Sequence, residues 1–432
     1  MLIQNQPITN IQPVRINQTQ TSSPVKLESD KVVIENAFIN KKPLVDRKII
    51  KPEQNINEFF DEISAQIFPN SPMKHSLSKL LQMGYIGLSS SAYTNPKKPH
   101  SAIALKLDET KSNIQHCAQL EQYLKNGIGV GINFSNFKNP TQKIKQLNEY
   151  FKYREPNLNR PPAGIALLNI THPKIVDFIS LKDSANYKNW CFDLSVIMDS
   201  SFLSKVDKNE YLTLDDGSKI SAKALYFKLL DSMKKSGEPG IIFSDDKHFT
   251  CDSCAATELK ENESLNLAQV NLAKFVKKDK TVDYAFLSQS ANTLTIALKR
   301  MAPNGFVSIL GYQDMLNQLG LNYGSKEALE VLEKCLGTTK EQAQVNGVKM
   351  CISPSGTTSR ILKTTPSIEP TNNEHATYWD EIETMEVAQK YLEGGISKTF
   401  NLKKNHTTED INLIIRASAQ KNLKGISVFP AQ

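Results

Sequence analysis

Apolar residues recur with helical periodicity after Ile56, where Phe59, Phe60 and Ile63 fall on one face of a predicted helix. A second helix is predicted over residues 76–83. Farther along the chain, short apolar runs bounded by glycine, proline and polar residues predict buried β-strands. These runs cover residues 127–135, 164–170, 191–198, 238–245, 304–311 and 424–430. Amphipathic segments alternate with them, which favours an α/β fold with mostly parallel strands. Periodicity alone does not separate a closed barrel from an open doubly wound sheet.

The same pattern divides the chain into three parts. The N-terminal residues are rich in Gln, Asn, Thr and Pro and lack periodicity, so residues 1–50 are predicted to form a flexible extension. Residues 51–84 are predicted to form a helical segment, and residues 85–432 a single large α/β domain.

Composition is that of an ordinary globular chain, with 39% hydrophobic and 22% charged residues. We expect a cytoplasmic protein with no membrane partner, because there is no long apolar run and no apolar segment of the secretory kind at the N-terminus. The net charge of +7 suits a polyphosphate ligand as well as a solvated surface. The lysines are scattered rather than clustered, which argues against a nucleic-acid partner.

Six cysteines are too few for a disulfide scaffold in a chain of this length. Cys251 and Cys254 alone have a suggestive spacing, which is compatible with a redox dithiol, half a metal site, a reactive cysteine or two inert thiols. A zinc site needs about four ligands. His248 is near, but no second pair of ligands has suitable spacing, so no metal site is predicted.

Residues 352–362 contain the clearest phosphate-binding candidate. Ser355, Gly356 and Thr357 open a predicted helix, where free backbone N–H groups and neighbouring hydroxyls bind anions, and Arg360 follows one turn later. A simple helix cap at the end of a loop explains the same residues. Glycines within 127–131 allow close backbone approach, but this spacing is a weak signal alone.

Several segments together resemble the catalytic large subunit of ribonucleotide reductase. The similarity extends over roughly residues 58–429, and it is greatest to the adenosylcobalamin-dependent class of that family. The segments that resemble family motifs occur in the family's order and cover residues 68–72, 87–90, 127–135, 237–243, 266–276, 310–329, 353–370, 385–402 and 423–429. The resemblance implies a ten-stranded α/β barrel of two five-stranded halves for residues 85–432, with a central finger loop.

In that family the finger loop holds a cysteine that becomes a thiyl radical and takes hydrogen from the ribose 3′ carbon. The resemblance places this cysteine at Cys254. The family's loop motif Asn-Pro-Cys-Gly-Glu is otherwise not retained here, and its two redox cysteines are replaced. The substituted positions are Asp252, Ser253, Ala255 and Ala256 in the loop, and Ser91 and Leu265 at the redox positions.

The resemblance implies a radical enzyme that acts on a ribonucleotide through a Cys254 thiyl, without the usual reduction by a cysteine pair. A genuine reductase with an external reductant and an inactive nucleotide-binding paralogue remain alternatives. Asp252 or Glu258 is a candidate base in place of the missing glutamate, and Cys251 is a candidate partner of Cys254. The implied phosphate-binding residues are Ser90, Ser91, Gly129, Ser355, Gly356, Thr357, Thr358 and Arg360.

Adenosylcobalamin is the cofactor that the resemblance implies. The last predicted strand contains no tyrosine for the relay of oxygen-dependent members, and no glycyl-radical loop is recognisable. The expected ligand is a nucleoside di- or triphosphate, and the expected oligomeric state is a monomer or a homodimer.

Overall fold

The computed structural model describes residues 38–183, 190–370 and 376–430, so most of the predicted N-terminal extension lies outside the described residues. Residues 38–50 form part of the folded body. They include a helix, Lys42–Asp46, in which Leu44 is completely buried. The prediction of a flexible extension as far as residue 50 is therefore wrong for its last part, because these residues pack against the domain.

Fifteen α-helices occur in the described residues, and the predicted helices after Ile56 and over 76–83 are confirmed. None of the described helices is long and apolar enough to cross a membrane. The helices are α1 Lys42–Asp46, α2 Ile56–Ile67, α3 Met73–Gln82, α4 Ser90–Thr94, α5 Asn113–Leu124, α6 Pro140–Arg154, α7 Ile175–Ile179, α8 Phe202–Asp207, α9 Ala222–Ser236, α10 Tyr284–Met301, α11 Tyr312–Leu319, α12 Lys326–Val345, α13 Gly356–Leu362, α14 Tyr378–Gln389 and α15 Thr408–Gln420.

Each of the six predicted apolar runs contains a β-strand. The strands are β1 Ile86–Leu88, β2 Ala102–Ala104, β3 Gly129–Asn133, β4 Gly164–Asn169, β5 Phe192–Met198, β6 Tyr211–Thr213, β7 Lys219–Ser221, β8 Gly240–Phe243, β9 Ser264–Asn271, β10 Gly305–Leu310, β11 Lys349–Met350, β12 Thr399–Asn401 and β13 Gly425–Phe429. The pair β6 and β7 forms a separate small sheet.

Ten strands follow one another in the main sheet, in the order β11-β10-β9-β2-β3-β4-β5-β8-β13-β12, and β1 pairs with β9 beside this path. Strands β2, β3, β4, β5 and β8 are mutually parallel and form one half. In the other half, β9, β10 and β11 are parallel, and so are β12 and β13. The halves meet in antiparallel pairs at β2–β9 and at β8–β13.

The two ends of this strand order are also joined by backbone hydrogen bonds. Ile352, just after β11, forms a parallel bridge with Ile396, just before β12. The Ile352 N–H donates to the Gly395 carbonyl (3.1 Å), and the Ser397 N–H donates to the Ile352 carbonyl (2.8 Å). These bonds connect the segment after β11 to the segment before β12, which are the two ends of the strand order. The α/β barrel predicted from the resemblance requires such a connection.

The segment between β8 and β9, residues 244–263, enters the space between the two halves, and we call it the finger loop. Strand β3 holds the beginning of the finger loop, because the side-chain amide of Asn133 donates to the carbonyls of Lys247 (3.0 Å) and Phe249 (2.8 Å). On the opposite half, the Gly395 N–H donates to the Ala256 carbonyl (2.7 Å). The finger loop therefore contacts both halves of the sheet.

Side chains inside the barrel form two apolar clusters, and the finger loop contributes to both. Cys251 is buried in the cluster of the first half, with Ile165, Leu167, Ile197 and Ile242. Leu259 is buried in the cluster of the second half, with Leu265, Phe306 and Cys351, and Ala104 of β2 also belongs to it. Burial of apolar surface on both sides fixes the position of the loop.

Candidate active site

The finger loop ends in a tight hairpin whose tip presents Cys254. Cys251 and Glu258 form an antiparallel bridge at the base of the tip, and the Leu259 N–H donates to the Thr250 carbonyl (3.0 Å). Within the tip, the Asp252 N–H donates to the Thr257 carbonyl (3.1 Å). These bonds define the tip as residues 252–257.

The carboxylate of Asp252 is turned into the tip. One oxygen accepts the Thr257 N–H (2.7 Å), and the other accepts the Cys254 N–H (3.2 Å). Asp252 is almost completely buried, and this burial raises the pKa of its carboxyl group to about 6. The residue predicted as a candidate base therefore holds the loop that carries Cys254.

Two glycines of β3 allow the finger loop to approach this strand. A Cβ atom on Gly131 would lie 2.0 Å from the Cys251 carbonyl oxygen, and one on Gly129 would lie 2.2 Å from Ser253 Oγ. Gly129 therefore faces the finger loop, and its role in phosphate binding stays a prediction. No motif in the sequence identifies this partner, which lies more than a hundred residues away.

Cys254 is partly buried and lines a cavity of about 540 Å³, which we call the thiol cavity. Its walls include β8, β13 and residues 396–399. Burial raises the pKa of the Cys254 thiol to about 12; the charge of Asp252 adds to this rise, and Arg160 opposes it. At neutral pH the sulfur therefore retains its hydrogen, whereas a nucleophilic cysteine needs the thiolate.

Charged side chains that the sequence analysis did not select also line the thiol cavity. Lys182 pairs with Glu238 (2.7 Å), and Glu238 also accepts the Leu194 N–H (2.8 Å). Burial outweighs the lysine and raises the pKa of Glu238 to about 7, and burial also raises the pKa of Asp193. Across the cavity, Lys398 pairs with Glu369 (3.0 Å). The sequence contained one signal for these charged residues, which is the presence of Asp193 in the otherwise apolar strand β5.

The other predicted catalytic residues are not presented to this cavity. Cys251 is completely buried, and burial raises its pKa well above the ordinary value. Glu258 is exposed and lines a separate cavity of about 650 Å³ together with Asp246 and His248. The candidate roles of Cys251 as a partner thiol and of Glu258 as a base beside Cys254 are therefore corrected.

The two positions that correspond to the family's redox cysteines hold a hydroxyl and an alkyl group. Ser91 Oγ lies 3.0 Å from Ser89 Oγ and 3.2 Å from Ser101 Oγ. Leu265 is completely enclosed in the apolar cluster of the second half. Neither side chain can form a disulfide.

The segments predicted to bind phosphate do come together, and an arginine joins them. Arg47 donates through one guanidinium nitrogen to Ser90 Oγ (3.4 Å) and through the other to Thr357 Oγ1 (2.5 Å). Burial lowers the pKa of Arg47 to about 10, and the positive charges of Arg160 and Arg360 contribute. The sequence analysis missed Arg47 because it lies in a stretch without periodicity.

Three of the residues predicted to bind phosphate, Ser355, Gly356 and Thr358, lie at the start of α13 in different environments. Ser355 precedes α13, but its hydroxyl makes no cap bond to the helix and instead lies 2.8 Å from Ser353 Oγ. Gly356 is exposed, with no atom near its Cβ position. Thr358 is buried against Gly87 and donates to the Leu88 carbonyl (3.4 Å), so its predicted phosphate role is corrected.

A second cavity, of about 390 Å³, adjoins Arg47, and we call it the basic cavity. Ser90 and Ser91 form part of its wall. The positively charged residues of its wall are Arg47, Lys48, Lys98, Lys125 and Arg160. Arg160 also lowers the pKa of Cys254, so the basic cavity and the tip of the finger loop are electrostatically linked.

Comparison with known proteins agrees with this architecture. Residues 101–310 match the family model described as ribonucleotide reductase, barrel domain. The barrel of this chain is therefore similar to the barrel domain of ribonucleotide reductases. Its barrel fold is also that of the class Id ribonucleotide reductase alpha subunit of Actinobacillus ureae, with a TM-score of 0.72 at 15% identity, covering 92% of this chain and 98% of that one.

Curated ribonucleotide reductases are similar over much of the sequence. The vitamin B12-dependent ribonucleoside-diphosphate reductase of Thermoplasma acidophilum is 23% identical, and the alignment covers 92% of this chain and 68% of the relative. The protein of the same name from Mycobacterium tuberculosis is 22% identical over 62% of this chain and 56% of its own length. The chain thus spans between about half and two thirds of these ribonucleotide reductases.

Proposed function

We propose that this protein binds a ribonucleotide and acts on its ribose through a thiyl radical at Cys254. The observation that supports this most strongly is the position of Cys254 at the tip of the finger loop, where it lines a cavity between the two halves of the barrel. A sulfur that keeps its hydrogen is suited to hydrogen-atom transfer, in which the thiyl takes hydrogen from the ribose 3′ carbon and later returns it. Atoms and electrons balance without an external reagent for this exchange.

The nucleotide is held through its phosphates in this proposal. The hydroxyls of Ser90 and Thr357 each lie within hydrogen-bonding distance of the Arg47 guanidinium. Phosphate oxygens are strong acceptors, and an arginine provides paired donors with a fixed geometry. An incoming phosphate replaces the hydroxyls as acceptor for Arg47, while Ser90 and Thr357 donate to it.

Adenosylcobalamin is the proposed cofactor, and the residues of the thiol cavity fit its adenosyl part. The cavity has a volume typical of a site for a small organic ligand. The carboxylates of Glu238 and Asp193 are acceptors for ribose hydroxyls, and β13 offers no tyrosine side chain beside Cys254. When bound, this cofactor would supply the radical chemistry that generates a thiyl. Cys254 would give up the hydrogen atom of its thiol, and Asp252 would keep the tip in place.

Reduction of the ribose requires two further electrons, which the family takes from a cysteine pair. Ser91 and Leu265 cannot supply them, and Cys251 and Cys351 are completely buried in apolar clusters. We therefore propose a reaction without net reduction by the protein. The second candidate is a genuine reductase, favoured by the names of the relatives. It needs a soluble dithiol that becomes a disulfide as the 2′ hydroxyl leaves as water.

Hydrogen exchange at the ribose tests the proposal directly. The protein is incubated anaerobically with adenosylcobalamin and 3′-deuterated nucleoside di- and triphosphates, and deuterium is followed by mass spectrometry. We expect loss of deuterium with the wild type and with Cys117→Ala, a matched control on α5, and none with Cys254→Ala. Retention of deuterium by a protein that binds both nucleotide and cobalamin would overturn the radical mechanism. Formation of a deoxyribonucleotide only with added dithiothreitol would identify the external-dithiol reductase.

A further inference from the structure

The basic cavity contains more positive charge than the protein itself neutralises. Of the residues that the structure describes in its wall, none is acidic. Within the described ranges, the arginines that form ion pairs are Arg154 and Arg416, neither of which lies in this cavity. Arg160 donates to the Gly127 carbonyl (2.8 Å), and Arg360 donates to the Gly356 carbonyl (3.1 Å), both of which are neutral acceptors. Like charges gathered without carboxylates repel, and an anionic ligand relieves this repulsion.

The basic cavity adjoins the phosphate-binding residues already described. Arg47 lines this cavity and donates to the hydroxyls of Ser90 and Thr357. Lys98, Lys125 and Arg160 are also part of its wall. Lys98 and Lys125 are exposed, and they therefore retain the freedom to close on a ligand. The cations and hydroxyls of this wall suit phosphate groups.

We infer that the basic cavity binds the outer phosphates of a nucleoside triphosphate, with Arg160, Lys98 and Lys125 selecting a triphosphate over the corresponding diphosphate. This inference rests on the proposed nucleotide function and names its substrate class. It separates the protein from the relatives in Thermoplasma acidophilum and Mycobacterium tuberculosis, which are named as diphosphate reductases. Charge-assisted hydrogen bonds to the third phosphate, which a diphosphate lacks, provide the selectivity.

Equilibrium binding of matched nucleotides tests this inference without any need for catalysis. Titration calorimetry is performed with the di- and triphosphates of adenosine, guanosine, cytidine and uridine, on the wild type and on Cys254→Ala. We expect both proteins to bind the preferred triphosphate about tenfold or more tightly than its diphosphate, because one charge-assisted hydrogen bond accounts for roughly that factor. We also expect inorganic tripolyphosphate to compete, and higher salt to weaken the preference.

Two variants with one matched control assign the preference to the cavity. Arg160→Gln and the exposed Lys125→Gln are each expected to weaken triphosphate binding by about tenfold while leaving diphosphate binding nearly unchanged. Lys223→Gln removes the same charge from α9, which contributes no residue to the cavity, and is expected to leave both affinities unchanged. Thermal unfolding midpoints equal to that of the wild type show that the variants are folded.

The outcomes separate this inference from the proposed function. Equal affinity for di- and triphosphates, or a preference that survives both Arg160→Gln and Lys125→Gln, overturns the triphosphate assignment and leaves the radical proposal standing. Failure to bind any nucleotide overturns both. A triphosphate preference that is lost in both cavity variants and kept in Lys223→Gln supports the inference, whatever the result of the hydrogen-exchange experiment.

Discussion

The Asp252 carboxylate accepts the backbone N–H of Cys254 at 3.2 Å while it raises the pKa of the thiol of the same residue. A single buried side chain thus holds the backbone that carries the sulfur and adds to the rise in thiol pKa that burial causes. An asparagine, the family's residue at this position, supplies one oxygen acceptor and no charge. The substitution found here therefore changes the electrostatics of the tip.

Removing the charge of Asp252 is expected to make Cys254 more reactive toward alkylation. At pH 9 the Asp252 carboxyl is ionised, since its pKa is about 6, so Asp252→Asn lowers the thiol pKa and raises the thiolate fraction. We expect iodoacetamide to modify Cys254 roughly threefold or more faster, as measured by peptide mass spectrometry. Arg160→Gln removes a charge that lowers the thiol pKa and is expected to slow the reaction. Local unfolding cannot explain a slower rate, so acceleration in both variants would contradict the electrostatic account.

Glu238 is expected to make the folded protein less stable as the pH rises from about 4.5 to about 7. Its pKa in the folded state is raised to about 7, so across this range the folded state retains a proton that the unfolded state has lost. Protonated Glu238 therefore contributes its full stabilisation at a pH below its pKa in the unfolded state. This stabilisation is lost as the pH rises through its pKa in the folded state. Glu238→Gln should therefore flatten the fall in the thermal midpoint between pH 5 and pH 7. Glu62→Gln, which changes an exposed residue of α2, is the control and should show the same pH dependence of the thermal midpoint as the wild type. The same pH dependence in Glu238→Gln would show that Glu238 does not cause the loss of stability.

Local signals in the sequence were sufficient for much of the barrel and for the reactive cysteine. The strands β3, β4, β5, β8, β10 and β13 were predicted because each is a continuous apolar run between turn residues. Strand β9 was not predicted, although polar and apolar residues largely alternate along it. The segments around Cys254 and Thr357 were selected because each is a contiguous motif.

Contacts between distant parts of the chain account for what the sequence could not show. Arg47 reaches Ser90 across 43 positions and Thr357 across 310, and no local pattern marks it as a ligand. The ion pair of Lys182 and Glu238 spans 56 positions. We predicted that Gly129 contacts a ligand because a glycine allows another group to approach the backbone closely. The sequence does not show that this group is Ser253 of the finger loop.

Gly131→Ala is expected to displace the finger loop from β3. The added methyl group would lie 2.0 Å from the Cys251 carbonyl oxygen, which is backbone and cannot rotate away. We expect the free energy of unfolding, measured with urea, to fall by about 1–3 kcal/mol, as in other overpacked interiors. Gly337→Ala in α12 is the matched control, because its nearest neighbour is a tyrosine ring carbon at 3.5 Å and alanine favours a helix. Equal stability of Gly131→Ala and the wild type would show that the loop is not closely fitted to this strand.

Filling the thiol cavity from β13 is expected to separate cofactor binding from nucleotide binding. Ser427 lines this cavity beside the β8–β13 junction, and its hydroxyl lies 3.0 Å from Thr399 Oγ1. Ser427→Trp places a large ring in the space proposed for the adenosyl group, so we expect adenosylcobalamin affinity, followed by its visible absorption spectrum, to fall by about tenfold or more. Nucleotide affinity should fall less than cobalamin affinity, because the phosphates are proposed to bind in the basic cavity, which shares no wall residue with the thiol cavity. Thr213→Trp on the exposed strand β6 is the control for the added ring, and cobalamin binding that Ser427→Trp leaves intact would place the cofactor elsewhere.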